Sequence, residues 1–303
     1  MVSVVIPTIG RATLRRAVES ALNQTSPPLE VIVVLDRDCE PDLPESHSIR
    51  VVRTPGAVGP SRAKQLGIEA AKGNVIALLD DDDLWYPDKL EKQLAAAPAG
   101  DHWIMSCRSV FRADWRKPVV CPRELIHPEA RVPDYLFTFR SVRRGRPTLP
   151  VPSLVFPKEV AHRVPLSVSA GSVHDDPKWL MEVQREMPDL KIIQVPDALV
   201  EVHVGRGSLS RPGTDRSQED IDWGVRELVN ESARVRGDYL LVIGVTSALE
   251  VRSFRAVARS MVAGIRWGRP GPWAWAYGCV AMARIALGQL RSQAAKLRGG
   301  VRQ

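Results

Sequence analysis

The chain has 303 residues, of which 44% are hydrophobic and 25% are charged. This balance is typical of a globular protein with a hydrophobic core, and it excludes a disordered or fibrous chain. The length predicts two structural units, since single domains usually contain about 100–200 residues. The net charge of +7 is uneven, because residues 251–303 hold ten Lys or Arg and no Asp or Glu, which leaves −3 for residues 1–250.

Apolar runs alternate with helical patterns in the N-terminal third of the chain. Runs of β-branched residues predict strands at Val2–Ile6, Val31–Leu35, Val51–Val52 and Val75–Leu79. Apolar residues at helical spacing predict helices at Ala12–Gln24, Arg62–Ala71 and Asp88–Ala97. This order predicts an α/β fold with a mostly parallel sheet flanked by helices.

The rest of the chain is less regular. From Trp103 to Phe156 the apolar runs are short, and Leu154–Phe156 is the clearest strand. A polar stretch after Ser210 predicts a loop, and helices are predicted at Ile221–Arg236, Tyr239–Ile265 and Trp273–Leu297. We therefore predict an α/β domain over residues 1–215, with halves at 1–95 and 96–215, and a basic helical region over residues 216–303.

Four consecutive aspartates, Asp80 to Asp83, follow the predicted fourth strand. Ligands of open α/β sheets bind outside the carboxyl ends of the strands. Like charges this close oppose one another, so a cation is expected among them. Mg²⁺ and Mn²⁺ prefer carboxylate oxygens and bridge well to phosphate oxygens, so the cluster predicts a metal and diphosphate site. The alternative is that these aspartates cap the helix that starts near Pro87.

The roles within the cluster follow from the alternation of side chains along a strand. An extended segment would place Asp80 and Asp82 on one side, and Asp81 and Asp83 on the other. Asp82 is therefore the predicted direct metal ligand. Asp80 is predicted to contact the metal or the nucleotide ribose, and Asp81 is counted with the nucleotide-binding residues.

Three segments, residues 4–8, 29–36 and 73–90, together resemble the family 2 glycosyltransferases of GT-A fold. The resemblance covers about residues 1–95, so this half is the expected nucleotide-sugar-binding half. It implies that Asp36 accepts a hydrogen bond from the nucleotide base, usually uracil. Pro7 and Thr8 would line the same base pocket, and Arg11 would belong to the donor-binding residues.

Residues 59–67 match a family segment that usually carries Arg-Asn before Leu-Gly, but this chain has Lys64 and Gln65 there. A cation near a diphosphate is physically sensible, although Lys offers a point charge where Arg offers a fork. Arg62 is a candidate to supply that fork. The alternative for both Arg62 and Lys64 is an exposed, solvated helix face.

The resemblance also supplies a predicted general base. Residues 171–180 are similar to the family's Glu-Asp motif at a helix start, so Asp176 is the expected base and Asp175 an expected contact to the acceptor or the donor sugar. The alternative is that either aspartate caps a helix that begins at Pro177. Residues 201–210 are similar to a segment in which a histidine completes the metal shell, which implies His203 as a third metal ligand.

The cysteines, at positions 39, 107, 121 and 279, form no C-x-x-C pair, so neither a zinc site nor a disulfide framework is predicted. Residues 1–6 lack the basic start and long apolar core of a signal peptide, and no stretch of about 18 uncharged apolar residues occurs. We predict a cytoplasmic protein without a membrane span.

The basic C-terminal helices combine arginines with four aromatic residues, Trp267, Trp273, Trp275 and Tyr277. This combination favours the surface of an anionic membrane, which would place the protein peripherally at the inner face. The alternative is a helical bundle with a solvated basic face. No nucleic-acid-binding motif accompanies the basic segment, so a nucleic-acid partner is not predicted.

Together with these residues, the resemblance implies an inverting glycosyltransferase that uses Mn²⁺ or Mg²⁺ and moves a sugar from a nucleotide diphosphate sugar, expected to be UDP-linked, to an acceptor hydroxyl. The acceptor can be a saccharide, a lipid-linked glycan or a small natural product. One alternative is a nucleotide-sugar-binding protein without turnover. Another is a nucleotidyltransferase, although residues 7–11 are not the Gly-rich phosphate loop that such enzymes usually carry after the first strand.

Overall fold

A computed structural model describes residues 1–113, 115–166, 174–205 and 214–299 of the chain. Residues 171–173 and 206–210, which belong to the two C-terminal motifs of the sequence analysis, lie outside this described part. The strands are β1 (Val2–Thr8), β2 (Glu30–Leu35), β3 (Ile49–Arg53), β4 (Val75–Leu78), β5 (Leu84–Trp85), β6 (Trp103–Ala113), β7 (Arg116–Cys121), β8 (Val155–Pro157) and β9 (Lys191–His203).

The helices begin and end as follows. They are α1 (Leu14–Leu22), α2 (Pro60–Ala70), α3 (Lys89–Ala96), α4 (Val132–Phe137), α5 (Lys158–Arg163), α6 (Asp175–Glu186), α7 (Ser217–Glu227), α8 (Ala233–Glu250), α9 (Phe254–Trp267) and α10 (Pro272–Gly299). No helix in the described part of the chain combines the length and the apolar character that crossing a bilayer requires.

The strands form a sheet in the order β3-β2-β1-β4-β8-β6-β9-β5, with β7 beside β6. Strands β1 to β4 run parallel to one another, and β9 runs parallel to β6, whereas β8 lies antiparallel between β4 and β6. Because β1, β2 and β4 are parallel, the residues that follow them meet at one edge of the sheet. The predicted α/β fold class is confirmed.

The core of the sheet comes from strands that are buried along their whole length. Every residue of β1 and β2 is buried, which agrees with the continuous apolar runs that parallel strands require. Helix α2 packs closely on these strands at Gly67, where an added Cβ would lie 2.4 Å from Val5 and 2.7 Å from Val34. This glycine therefore fixes the distance between the sheet and the helix that carries Lys64.

The chain divides into two compact units, one of residues 1–136 with 145–204, and the other of residues 137–144 with 205–303. In the second unit, Asp238 accepts hydrogen bonds from the backbone N–H of Phe139 (2.8 Å) and from the Arg234 side chain (2.7 Å). These bonds hold residues 137–144 to α8. The structural division falls after residue 204. The predicted domain boundary at residue 215 stays a prediction.

The predicted C-terminal helices are wrong in their boundaries. A helix was expected over Ile221–Arg236, but α7 ends at Glu227, and α8 starts only after Ser232, whose side chain caps the N–H of Val235. The expected helix Tyr239–Ile265 is likewise split, since Ser253 caps α9. Serine side chains accept hydrogen bonds from free N–H groups at these two helix starts. The helical spacing of apolar residues continues across both breaks, so the sequence pattern did not reveal them.

A fully buried lysine lies under the sheet edge, at the start of α3. The Nζ atom of Lys89 has no hydrogen-bond partner among the described residues and lies 4.0 Å from the centroid of the Trp85 ring. Burial lowers the pKa of Lys89 to about 7, against the ordinary value of 10.5. When Lys89 is protonated, the folded protein therefore holds a charge in an apolar site, which lowers its free energy of unfolding.

We expect the K89M variant to be more stable than the parent, by roughly 2–4 kcal/mol at pH 6. Below pH 7 the amine is protonated in both the folded and unfolded chains, so the cost is complete. Between pH 7 and 10.5 only the unfolded chain binds the proton, so the cost falls as the pH rises. Denaturant melts at pH 6 and pH 9 should show the larger gain at pH 6.

The matched control is K92M, which changes an exposed lysine of the same helix that pairs with Asp88 and Asp197. Loss of these surface pairs should change the stability little at either pH. An equal gain for K89M at the two pH values would contradict the assigned pKa.

Candidate functional site

The four aspartates form a turn at the end of β4. The backbone N–H of Asp83 donates to the carbonyl of Asp80 at 3.2 Å, and the strand itself ends at Leu78. The expected extended segment is therefore wrong, and so is its alternation of sides. Because the chain turns here, Asp81 and Asp82 both reach the same cation, Arg11.

Arg11, in the loop after β1, is a centre of charge in this site. Its Nη1 atom lies 2.9 Å from Asp81 Oδ1 and 3.0 Å from Asp82 Oδ2. Asp81 also accepts a hydrogen bond from the Thr8 hydroxyl at 2.6 Å. Burial raises the pKa of Asp81, while Thr8 and Arg11 oppose the rise. The predicted donor-binding residues Thr8, Arg11 and Asp81 are thus brought together.

Asp83 is buried and bonds to the backbone of β9 instead of to Arg11. Its Oδ1 atom accepts the backbone N–H of His203, at the end of β9, at 2.8 Å. The alternative in which it caps α3 is wrong, since that helix begins at Lys89, after Asp88. Burial, with the charge of Asp80 next, raises the pKa of Asp83 well above its usual value. Asp83 therefore joins the last strand of the sheet to the aspartate turn.

Lys64, on α2, links two carboxylates that are distant in sequence. Its ammonium lies 3.3 Å from Asp80 Oδ1 and 3.7 Å from Asp176 Oδ1, and its side chain is only 4% exposed. Burial lowers the pKa of Lys64, but Asp176 and Asp80 outweigh that effect and raise it above the usual value. The solvated alternative for Lys64 is wrong, because the two carboxylates draw the lysine inward.

Helix α6 presents the predicted base at its first turn. The helix begins at Asp175, two residues before the expected start at Pro177, so Asp175 and Asp176 lie within its first turn and do not precede it as caps. The Asp176 side chain is 41% exposed. Desolvation raises the pKa of Asp176, Lys64 opposes this, and Asp80 and Asp175 add to the rise. A partly exposed carboxylate with a raised pKa suits a general base.

Asp175 has one engaged oxygen and one free oxygen. Oδ2 accepts the Ser61 hydroxyl at 2.8 Å, whereas the buried Oδ1 has no hydrogen-bond partner among the described residues. A buried carboxylate oxygen without a donor is costly, so it points to a missing polar group. Ser61 was not among the predicted residues, since a serine at a helix start carries no specific signal.

Asp36, at the end of β2, organises the loop that leads into α2. Its Oδ1 accepts the Thr54 hydroxyl at 2.5 Å and the Val58 N–H at 2.9 Å, and its Oδ2 accepts the Gly59 N–H at 2.9 Å. Gly59 has a φ of 84°, which favours glycine. Oδ2 keeps one lone pair free, so base recognition by Asp36 stays a prediction.

Two predicted residues have other surroundings. Pro7 is buried within β1, where it pairs with Val34 of β2. Arg62 is partly exposed and pairs with Glu69 of its own helix at 3.4 Å, which agrees with the solvated helix face rather than with a phosphate contact. Sequence reasoning missed Thr54 as well as Ser61. Ser61 lies one turn before Lys64 on the same helix, whereas Thr54 is far from Asp36 in the sequence and reaches it only in the fold.

The donor atoms present are suitable for a divalent cation. Asp80 and Asp82 have side chains that are 33% and 27% exposed, so their carboxylates face solvent. The aspartate turn together with Asp175 and Asp176 provides six carboxyl groups, whereas in the described part of the chain Arg11 and Lys64 are the cations that pair with them. This excess of negative charge and the oxygen chemistry fit Mg²⁺ or Mn²⁺.

The structure gives less support to His203 as the third metal ligand. Among the described residues, no group of three His, Cys, Asp or Glu side chains lies in a geometry that could hold a metal ion. His203 reaches the site through its backbone N–H to Asp83. The metal and its ligands Asp80, Asp82 and His203 therefore stay predictions.

Comparison with protein families agrees with this geometry. The model of glycosyl transferase family 2 matches residues 3–146, which include the aspartate turn, Arg11, Asp36 and Lys64. Residues 3–146 form a glycosyl transferase family 2 domain. For this part of the chain, the predicted family is confirmed.

Relatives of this family 2 domain cover only part of the chain. An uncharacterized glycosyltransferase of Rickettsia bellii is 39% identical over 122 residues, which is 37% of this chain and 17% of that protein. The succinoglycan biosynthesis protein ExoO of Rhizobium meliloti is 38% identical over 95 residues, which is 29% of this chain and 26% of ExoO. The chain thus spans about a quarter or less of the length of these relatives.

The fold is similar to that of a solved structure. A crystal structure of S. aureus TarS 1–349 in complex with UDP-GlcNAc superposes with a TM-score of 0.55 at 15% sequence identity, and the match covers 88% of this chain and 73% of that one. At this identity the likeness concerns the fold. It agrees with an α/β architecture that is followed by C-terminal helices.

Proposed function

We propose that this family 2 protein is an inverting glycosyltransferase that moves a sugar from a UDP-sugar to an acceptor hydroxyl. The observation that carries the proposal is the Lys64 bridge, which brings the aspartate turn and the base-like Asp176 into one site. A transferase needs these two functions side by side, since the leaving diphosphate and the attacking hydroxyl lie on opposite faces of the same sugar carbon. The similar fold of TarS, which was solved with UDP-GlcNAc, supports a UDP-linked donor.

The aspartate turn would hold a divalent cation through Asp80 and Asp82. When bound, Mn²⁺ or Mg²⁺ supplies positive charge that stabilises the leaving diphosphate. Arg11 lies 3.0 Å from Asp82 and can turn part of its guanidinium to the same phosphates. Asp36 and Thr8, at the ends of two neighbouring parallel strands, would contact the nucleotide.

Asp176 would accept the proton of the acceptor hydroxyl. Lys64 keeps this carboxylate oriented and favours its ionised form, which is the form that a base requires. The free Oδ1 of Asp175 would accept a hydroxyl of the acceptor or of the donor sugar, because that oxygen lacks a partner in the described structure. Saccharides, lipid-linked glycans and small natural products all offer such hydroxyls.

Thermal shift with nucleotides tests the donor and the metal without measuring turnover. We expect UDP to raise the melting temperature in the presence of Mn²⁺, and to raise it much less in EDTA. Ligand at about 100 times its dissociation constant stabilises a protein by about 2.7 kcal/mol, which corresponds to several degrees here. The D82N variant should lose the Mn²⁺-dependent part of the shift.

The D101N variant is the control, since Asp101 is an exposed carboxylate outside the site. Its shift should equal that of the parent. A parent protein that gains no stability from any nucleoside diphosphate, with or without Mn²⁺, would overturn the proposal. A response to nucleoside triphosphates alone, with pyrophosphate release, would favour a nucleotidyltransferase.

A further inference from the structure

Two helices of the second unit expose apolar stripes to solvent. On α9, Val262 and Ile265 are each 61% exposed, one turn apart, with the exposed Ala258 one turn before them. On α10, Trp273, Val280 and Leu287 are 48%, 44% and 54% exposed, and their spacing of seven residues places them along one side of the helix. We call these two stripes the apolar face.

The opposite sides of the two helices are used in packing. Ala256, Val257 and Ala263 of α9 are buried, and Ala274, Ala281 and Ile285 of α10 are buried with them in the core of the unit. The helices are neighbours, since Met261 of α9 lies beside Gly278 of α10. Each of the two stripes is therefore the side of its helix that packing within the unit leaves uncovered, and large aliphatic groups there are costly in water.

Arginines accompany the apolar face. Arg255 and Arg266 on α9, Arg269 in the turn and Arg284 on α10 are exposed, and in the part of the chain that the structure describes none of them forms an ion pair. Arg259 of the same region, by contrast, is bound to Asp215 at 2.9 Å. Residues 251–303 contain no acidic residue. The face thus combines exposed apolar side chains with uncompensated positive charge.

We propose that the apolar face and its arginines bind the surface of an anionic phospholipid bilayer. The charge favours this occupant over a second copy of the chain, because a symmetric contact through this face would place arginines against arginines. The aromatic residues agree with it, since Trp267 and Trp273 flank the turn between α9 and α10 and are 45% and 48% exposed. Tryptophan settles at the depth of lipid headgroups, where arginine meets phosphate.

Vesicle co-sedimentation with the full chain tests this proposal. We expect binding to phosphatidylcholine vesicles that contain phosphatidylglycerol, and little binding to phosphatidylcholine alone. The double variant V262S/I265S should bind the anionic vesicles about tenfold more weakly, since it removes apolar groups that would insert between lipids. The double variant R255Q/R266Q should bind more weakly by about fivefold for each arginine, and added salt should weaken the parent in the same direction.

The matched control is V229S, because Val229 is 57% exposed in the same unit but lies between α7 and α8, on neither of the two helices that carry the apolar face. It should bind like the parent. All substituted side chains are exposed, and an unchanged melting temperature checks that each variant is folded. Equal binding to neutral and anionic vesicles would overturn the proposal. So would a dimer in light scattering that V262S/I265S converts to a monomer while vesicles stay unbound.

Discussion

Sugar transfer by the D176N variant should fall by about 10²–10⁴-fold, while its affinity for UDP stays within about twofold of the parent. The amide keeps the shape of the side chain but cannot accept the hydroxyl proton. Lys64 contacts Asp176 at 3.7 Å and Asp80 at 3.3 Å, so it keeps its shorter partner in the variant. Initial rates of UDP release and calorimetric titration with UDP provide the two measurements.

The outcome separates an enzyme from a binding protein. Full activity in D176N would eliminate Asp176 as the base and leave Asp175 as the next carboxylate to test, since it adjoins Asp176 on the first turn of α6. A parent protein that binds UDP but releases none from any UDP-sugar would favour a nucleotide-sugar-binding protein without turnover. The D101N variant, with an exposed carboxylate changed in the same way, should keep the activity of the parent.

The K64M variant should lose about 10- to 100-fold in transfer at neutral pH. This range corresponds to the 1.5–3 kcal/mol that a hydrogen bond to a charged group contributes. Lys64 lowers the pKa of Asp176 against the effect of burial, so without the ammonium a larger fraction of this carboxylate is protonated. The acidic limb of the rate profile should therefore move to higher pH, and raising the pH should restore part of the activity.

This shift of the profile distinguishes a positioning role from simple damage to the fold. A merely destabilised variant would lose activity at all pH values and would leave the acidic limb where it was. The control is K72M, which removes an exposed lysine just after the same helix. K64R should recover part of the lost rate, since it restores a positive charge between Asp80 and Asp176.

The sequence predicted the N-terminal half of the fold well, because its strands are continuous β-branched runs. The long strands β6 and β9 escaped prediction, since polar residues interrupt their apolar pattern. Ser106 in β6 is buried and hydrogen-bonded to Ser153 at 2.8 Å, so a tertiary partner satisfies it. In β9 the segment at Pro196 coincides with a shift of register against β6. Neither the hydrogen-bond partner of Ser106 nor the register shift near Pro196 can be seen in a local sequence pattern.

The residues of the site could be predicted by type, but their pairings could not. Carboxylates at a strand end predict a cation site from their charge alone, and the family resemblance added Asp36 and Asp176. The Lys64 bridge and the bond from the His203 N–H to Asp83 depend on segments that meet only when the sheet has formed. The turn at Asp80 to Asp83 also escaped prediction, because a run of identical residues gives no signal for a bend.

The bonds of Asp36 limit how nucleotide selectivity could be re-engineered. Its carboxylate fastens Thr54, Val58 and Gly59, and the loop they form delivers α2 with Lys64 at its second turn. Under the proposed function, replacing Asp36 to accommodate another nucleotide base would therefore also loosen the helix whose Lys64 contacts Asp176, the proposed proton acceptor. A change of donor preference is better sought by altering neighbours of the carboxylate, so that recognition and turnover can be varied separately.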